Sequence, residues 1–318
     1  MNSVTAANLH EVFGSQFQEN VILAPNTSAR IGGPADILVT VRNRDELARA
    51  VQMCWEANLP MTLLGGGSNV LVSDLGVRGV VVLNKAKATE FRPDTQRPTV
   101  WAESGVILTN LAHRAAALGY SGLEWAATVP GTTGGAVYGN AGAYGSDIAH
   151  NLQCAEILLE TGREWWPVEK MEYGYRSSIF KHTHPMESTH DSLSKSFGKA
   201  VILSAEFGLQ TGNAEQIKAE IEKFTSRRKE SQPPVASMGS MFKNPPGDLA
   251  GRLIEAAGLK RTRIGNAEIS NVHGNFFVNH GDTRAADIKA LIVLAQKTIK
   301  ENFGIDLQLE VELIGEWK

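Results

Sequence analysis

The sequence predicts an α+β chain built from more than one domain, and three observations carry that prediction. Short apolar strands alternate with amphipathic helices from about residue 37 onward, the two periodicities being easy to tell apart. Two glycine-rich runs, at 65–67 and 131–145, each follow strand-like or apolar sequence. Beyond a Thr211-Gly212-Asn213 break the chain becomes helix-rich and closes on a period-2 segment. At 318 residues the chain exceeds what one hydrophobic core usually supports. The expected division is 1–85 and 86–210 as two α/β subdomains, with 211–318 as a C-terminal α+β domain.

Residues 1–25 read as an N-terminal helix and lead-in. Ile37, Val39 and Val41 then alternate with polar or outward positions as a strand. Asp45 to Asn58 places Leu47, Ala50, Val51 and Cys54 at helical spacing and stops before Pro60. Met61–Leu64, Val70–Val72 and Val80–Leu83 read as strands. Thr99–Glu103 is another, followed by a helix from Leu108 to Leu118 closed by Gly119 at the position where left-handed geometry favours glycine. Gln153–Glu160, Arg163–Val168 and Lys199–Leu209 continue the strand pattern. The polar stretch 183–196 lacks periodicity and reads as an insertion. Helices are expected from Ala214, around Leu249–Ala257, and from Ala286 to Phe303. In 305–313, Ile305, Leu307, Leu309, Val311 and Leu313 point one way and Asp306, Gln308, Glu310 and Glu312 the other.

Composition excludes several classes. The chain is 42% hydrophobic and 20% charged with a net charge of −3, so no basic field invites a nucleic-acid backbone. Two cysteines, Cys54 and Cys154, sit in apolar surroundings without a framework spacing and read as free thiols. No apolar run reaches the ~18 residues of a membrane span, and no leader opens the sequence, so a cytoplasmic protein is expected. Eight histidines include His182 and His184, but no third ligand or His-Glu-x-x-His pattern accompanies them, and no metal site is expected.

The glycine runs are where chemistry concentrates. Gly131, Gly134, Gly135, Gly139, Gly142 and Gly145, interleaved with Thr128, Thr132 and Asn140, offer bare backbone whose N–H groups could cradle a pyrophosphate. Leu123, Trp125, Val129 and Val137 argue against a mere solvated linker, which would be Gly/Ser-rich and polar. Neither run has the Gly-x-Gly-x-x-Gly spacing of a Rossmann turn. Two loops far apart in sequence suggest one extended dinucleotide held between them. A flavin dinucleotide suits that description, and glycine content alone does not choose it over another diphosphate.

Asn26-Thr-Ser-Ala-Arg-Ile-Gly-Gly, Leu64-Gly-Gly-Gly-Ser-Asn, Val129-Pro-Gly-Thr-Thr-Gly-Gly-Ala-Val, Asn140-Ala-Gly-Ala-Tyr-Gly, Tyr175-Arg-Ser-Ser-Ile-Phe-Lys, Gly239-Ser-Met-Phe-Lys-Asn-Pro and Leu309-Glu-Val-Glu follow in order. Together they resemble the UDP-N-acetylenolpyruvoylglucosamine reductases over nearly the whole chain. The resemblance implies an FAD-binding domain of vanillyl-alcohol-oxidase type up to about residue 210 and a substrate domain after it. It implies non-covalent FAD, since no histidine stands in Gly65–Asn69, with NADPH as co-substrate and a UDP-sugar as substrate. A monomer without nucleic-acid or membrane partners is expected.

Residue roles follow from the same resemblance. Ser240 is the proton donor; a hydroxyl serves as an acid when the species it quenches is itself a strong base. Arg176 and Glu310 stabilise the enol-type intermediate, the first through a planar fork that grips a carboxylate. Glu310 does so only if protonated or hydrogen-bonded, so a raised pKa is expected there. FAD would be held by Gly65, Gly66, Gly67, Ser68, Asn69, Thr128, Pro130, Gly131, Thr132, Gly134, Gly135, Asn140 and Gly142. Substrate would meet Asn244, Lys243, Arg228 and Glu268. Arg227, Arg228 and Lys229 are equally a helix end favoured by the dipole. Two positions depart from the family's pattern: Gly139 replaces a bulkier residue, and Glu268 stands where glutamine is common, exchanging an amide donor for a charge.

Overall fold

A computed structural model describes residues 3–93, 97–182 and 199–317. The 183–196 insertion, His184 and the side chain of His182 lie outside the described residues. The chain forms two compact units. The first comprises 1–16, 39–65 and 82–226; the second comprises 17–38, 66–81 and 227–318. This partition cuts the chain differently from three consecutive blocks with a border at 211. Residues 17–38 and 66–81 cluster with the C-terminal part because their apolar groups, among them Ala29, Ile31 and Leu71, join its core. Helix α7 (Ala214–Ser231) begins at the expected border yet belongs mostly to the first unit, since Ile217 and Ile221 are buried in that core.

The first unit is organised on a five-stranded sheet in the order Gly162–Pro167, Leu152–Leu159, Ala200–Gly208, Thr99–Glu103, Thr89–Arg92, with every neighbour antiparallel. Its helices are α1 (Ser3–Phe13), α2 (Arg44–Glu56), α3 (Leu108–Ala117), α4 (Thr133–Gly139), α5 (Ile148–Asn151), α6 (Ile179–His182) and α7. Both helix ends are capped, the Gly119 one as the sequence suggested. Asn43 accepts from the amides of Asp45 and Glu46 to start α2, and Gly119 takes φ +77 after α3. Helix α4 was not legible: its Thr-Gly-Gly-Ala-Val-Tyr-Gly sequence has the low propensity of a loop. Burial of Ala136 and Val137, together with α4 packing on the strand Ala200–Gly208, overrides that propensity.

In the second unit, Ser237–Ser240, Phe276–Asn279, Ala267–Ile269 and Arg263–Ile264 form an antiparallel sheet in that order. Helices α8 (Ala250–Ala256) and α9 (Ala285–Phe303) bury Leu253, Ile254, Ile288, Leu291, Ile292 and Ile299 in one core with Met241, Phe242 and Phe277. The Asp74 carboxylate accepts from the amides of Ala285 (2.7 Å) and Ala286 (2.9 Å), which places a negative charge at the α9 N-terminus. The Phe17–Ile22 strand, mostly exposed, carries no apolar alternation and escapes a pattern search.

The terminal segment keeps its alternation but changes partner midway. Leu309 bridges Phe242 in antiparallel fashion, whereas Glu312–Ile314 pairs in parallel with Val70–Val72. A continuous strand over 305–313 is therefore not what forms; the apolar face, Leu307 and Val311 above all, is nevertheless inward. Both cysteines are free, and burial pushes the Cys54 thiol up to about 11.

Candidate active site

In the first unit the two glycine runs meet. A Cβ on Gly65 would lie 2.4 Å from the Thr132 Oγ1, so any other residue would have to push that hydroxyl aside. Thr132 itself caps α4, its hydroxyl accepting from the Gly135 amide at 3.5 Å. Not every amide of the run is open to a ligand. The amides of Thr133 and Gly134 donate to the carbonyls of Val106 and Ser104, each at 2.8 Å. A Cβ on Gly134 would also sit 2.7 Å from that of Ser104, so this glycine serves close packing. Gly135 differs: it is exposed, and its Cβ would meet nothing closer than Thr132 Oγ1 at 3.6 Å. Gly131 takes φ +115, and Pro130 before it is exposed.

These features fit a dinucleotide cofactor. Two loops converge, Gly65 sits tight against the Thr132 hydroxyl where they meet, and Gly135, exposed in the first turn of α4, meets only an ordinary contact, so protein packing does not require glycine there. Gly65, Pro130, Gly131, Thr132 and Gly135 are the residues of this unit suited to hold FAD. Thr128 lies at the end of a 3₁₀ turn with its hydroxyl 3.5 Å from that of Tyr144. Asn140 and Gly142 have internal duties. Asn140 takes φ +45 at the end of α4 and is buried, and the Gly142 carbonyl accepts from the Arg176 guanidinium at 2.9 Å.

Arg176 occupies a tight turn closed by reciprocal bonds between Gly174 and Ser177, each 3.2 Å. Its φ of +52 is uncommon for a residue with a side chain, and such backbone positions concentrate at functional sites. Tyr175 beside it is exposed, and the guanidinium carbon lies 5.8 Å from that ring.

The second unit carries the other half of the glycine loop and the remaining candidates. Gly67 takes φ +59, and a Cβ there would lie 2.3 Å from the Asn26 carbonyl oxygen, which ties the loop to the Asn26–Arg30 segment. The Ser28 amide donates to the Gly67 carbonyl at 2.9 Å. Gly66, Ser68 and Asn69 continue this loop half-buried. The Asn69 side-chain amide donates to the backbone carbonyl of Glu310 at 3.0 Å.

Ser240 ends a strand whose register shifts between Ser237 and Ser240, with Gly239 at φ +82. That irregularity is a bulge, a device that re-aims the residue after it. Met241 then accepts from the Glu310 amide at 2.9 Å, while the Lys243 amide donates to Gln308 at 2.9 Å. The structure therefore brings Ser240, Lys243 and Glu310 onto two adjacent backbone segments, with Asn69 holding the second.

Asn244 is exposed, and its side-chain oxygen accepts from the Ala250 amide at 3.1 Å, at the start of α8. Glu268 is buried in an ion pair with Arg263 and lies 3.2 Å from the His280 Nε2, so its charge is balanced within the protein. Arg228 is half-buried near the end of α7. Sequence reasoning missed Gly239 as the bulge that aims Ser240; its only trace is the Gly-Ser pair in Met238-Gly-Ser-Met. Among the described residues no group of three or more histidine, cysteine, aspartate or glutamate side chains could hold a metal ion.

Comparison with known proteins adds lineage to this geometry. Residues 231–314 match the model for the UDP-N-acetylenolpyruvoylglucosamine reductase C-terminal domain, and 35–166 match an FAD binding domain. The UDP-N-acetylenolpyruvoylglucosamine reductase of Chloroflexus aggregans is 42% identical over 93% of this chain and 96% of its own length. The chain belongs to the UDP-N-acetylenolpyruvoylglucosamine reductase family. The enzyme of that name from Bacillus licheniformis is 41% identical over 97% of each chain. A crystal structure of UDP-N-acetylenolpyruvylglucosamine reductase from Thermus caldophilus superposes with a TM-score of 0.75 at 33% identity, covering 92% of this chain and 97% of its own. As a member of this reductase family the chain combines an FAD-binding domain of vanillyl-alcohol-oxidase type with the reductases' C-terminal domain.

Proposed function

We propose that Ser240, Arg176 and Glu310 carry the chemistry of the reaction that defines this family. The chain is an FAD-containing oxidoreductase that reduces the enolpyruvyl double bond of UDP-N-acetylglucosamine enolpyruvate to give UDP-N-acetylmuramate for peptidoglycan synthesis, with NADPH as co-substrate. FAD, which Gly65, Pro130, Gly131, Thr132 and Gly135 would hold without a covalent bond, would supply the hydride chemistry that links NADPH to carbon 3 of the enolpyruvyl group.

Everything else falls to side chains. Hydride arriving at carbon 3 leaves an electron pair at carbon 2, delocalised into the adjacent carboxylate. The Arg176 fork holds that carboxylate and the charge that develops on it. Ser240 delivers a proton from its hydroxyl to carbon 2, which completes the addition of one hydride and one proton across the double bond. A serine is competent here because the receiving carbon is strongly basic. Glu310 acts in its protonated form, the O–H donating toward the same developing charge. The observation that carries this reading is the Met241–Glu310 hydrogen bond, which sets Glu310 beside the bulge that ends in Ser240. Lys243, Arg228 and Asn244 are the groups proposed for the sugar nucleotide. Glu268 is proposed as an indirect contributor that holds Arg263 and His280.

A cytoplasmic monomer acting on small molecules is the setting proposed. The net charge of −3 supports the lack of a nucleic-acid partner. Among the described residues no helix is long and apolar enough to cross a membrane. The test is the visible spectrum under nitrogen. A flavin band should bleach with NADPH and return on adding the enolpyruvyl sugar nucleotide. Return with oxygen but not with the sugar nucleotide would instead mark an oxidase of the same fold.

A further inference from the structure

We propose that Asn140 is the positioning residue for Arg176, and that helix α4 is the strut on which the guanidinium's aim depends. This rests on the reading of Arg176 given above and adds to it the part that sets its direction.

The observations begin with the C-terminus of α4. The last carbonyls of a helix have no partner within it and must find one elsewhere. Here the turn that carries Arg176 supplies them. The Tyr173 hydroxyl donates to the Val137 carbonyl at 2.9 Å, and the Ser178 hydroxyl to that of Tyr138 at 2.5 Å. The Arg176 Nη2 donates to the Gly142 carbonyl at 2.9 Å. Residues on both sides of Arg176, and Arg176 itself, are thus tied to 137–142.

Asn140 closes the arrangement from the other side. Its amide nitrogen donates to the Gly174 carbonyl at 3.0 Å, two residues before Arg176, and to the Asp147 carboxylate at 3.2 Å. Its amide oxygen accepts from the Ala149 amide at 3.1 Å. The residue is 3% exposed and sits at φ +45, a conformation asparagine tolerates better than most residues. One side chain therefore links the helix end, the Gly174–Ser177 turn and the start of α5. A neutral amide is the only side chain of this size that can donate to the carbonyl and the carboxylate while accepting from an amide.

The experiment measures what the lactyl carboxylate of the product adds to affinity. UDP-N-acetylmuramate and UDP-N-acetylglucosamine, which lacks that carboxylate, are titrated into the holoenzyme, and the ratio of the two dissociation constants is compared across variants. Arg176→Ala should cut the preference for the carboxylated nucleotide by roughly 10- to 100-fold, the range for losing a charge-assisted bond. Asn140→Gly keeps the left-handed backbone and removes only the amide; it should cut the preference about 3- to 10-fold, with little change for UDP-N-acetylglucosamine. Adding it to Arg176→Ala should reduce the ratio no further, because the two act as one unit. Should the glycine variant fail to fold, Asn140→Asp retains the acceptor for Ala149 and loses the donor to Gly174, and the same loss of preference is expected.

Each other outcome overturns something specific. If Asn140→Gly weakens both nucleotides equally, or its effect persists undiminished in the Arg176→Ala background, Asn140 is scaffold alone and the proposal fails while Arg176 keeps its role. If Arg176→Ala leaves the preference intact, the reading of Arg176 fails first and the proposal with it.

Discussion

The two glycine-rich runs look alike in sequence and do different work. At 65 and 67 the glycines are demanded by protein atoms: Gly65 abuts the Thr132 hydroxyl, and Gly67 combines a left-handed φ of +59 with a backbone oxygen 2.3 Å from where a Cβ would sit. In 131–145 the demands are mixed. Gly134 and Gly142 are held by close neighbours, with Cβ approaches of 2.7 Å to Ser104 and Asp147. Gly135 and Gly139 meet only ordinary contacts, at 3.6 and 3.8 Å, and lie in a helix where alanine would be preferred. A glycine that the fold does not require, on an exposed turn beside a converging loop, is best explained by something outside the chain that approaches the backbone. Counting glycines points to the proposed site, while asking what a Cβ would meet separates the glycines that packing requires from those proposed to face a ligand.

That contrast can be broken by substitution. Gly67→Ala should have the largest effect, a loss of about 2–4 kcal/mol in stability, since both the φ and an immovable backbone oxygen oppose it. Urea unfolding at equilibrium checks this, and an unaltered midpoint would show that the loop relaxes. Gly65→Ala meets a side-chain oxygen that can turn away, so a smaller loss of about 1–3 kcal/mol is expected by the same measurement. Gly135→Ala should reverse the sign. Helix propensity favours the alanine by up to about 1 kcal/mol in the flavin-free protein, yet the purified protein should retain less FAD. Full flavin content in a stabilised variant would mean that Gly135 faces no cofactor.

Much of the architecture could be read from periodicity because the responsible patterns are local. Met61–Leu64, Val70–Val72 and Thr99–Glu103 are strands as read, and the helix from Leu108 closes with Gly119 at φ +77. What escaped depends on distant partners. Phe17–Ile22 lies mostly exposed, so apolar alternation never marks it. Helix α4 exists because its buried face outweighs a poor helical composition, and no window of local sequence reports that. Each compact unit is assembled from non-consecutive segments; those near residues 29 and 71 join the second because they bury against helices much later in the chain. For the proposed site, the motifs pointed to Ser240, Arg176 and Glu310, while the structural supports around them were hidden. Gly239 gives a bulge only once the Phe276–Asn279 strand pairs beside it, and Asn140 finds Gly174 only after the chain has folded back.

The central claim is that Ser240 is the proton source for the enolpyruvyl carbon, and stopped-flow comparison of the two half-reactions in Ser240→Ala addresses it most directly. Bleaching of the flavin band by NADPH should proceed near the wild-type rate, while its recovery with UDP-N-acetylglucosamine enolpyruvate should slow by at least ~100-fold. Equal slowing of both phases, or recovery at the wild-type rate, would contradict the account.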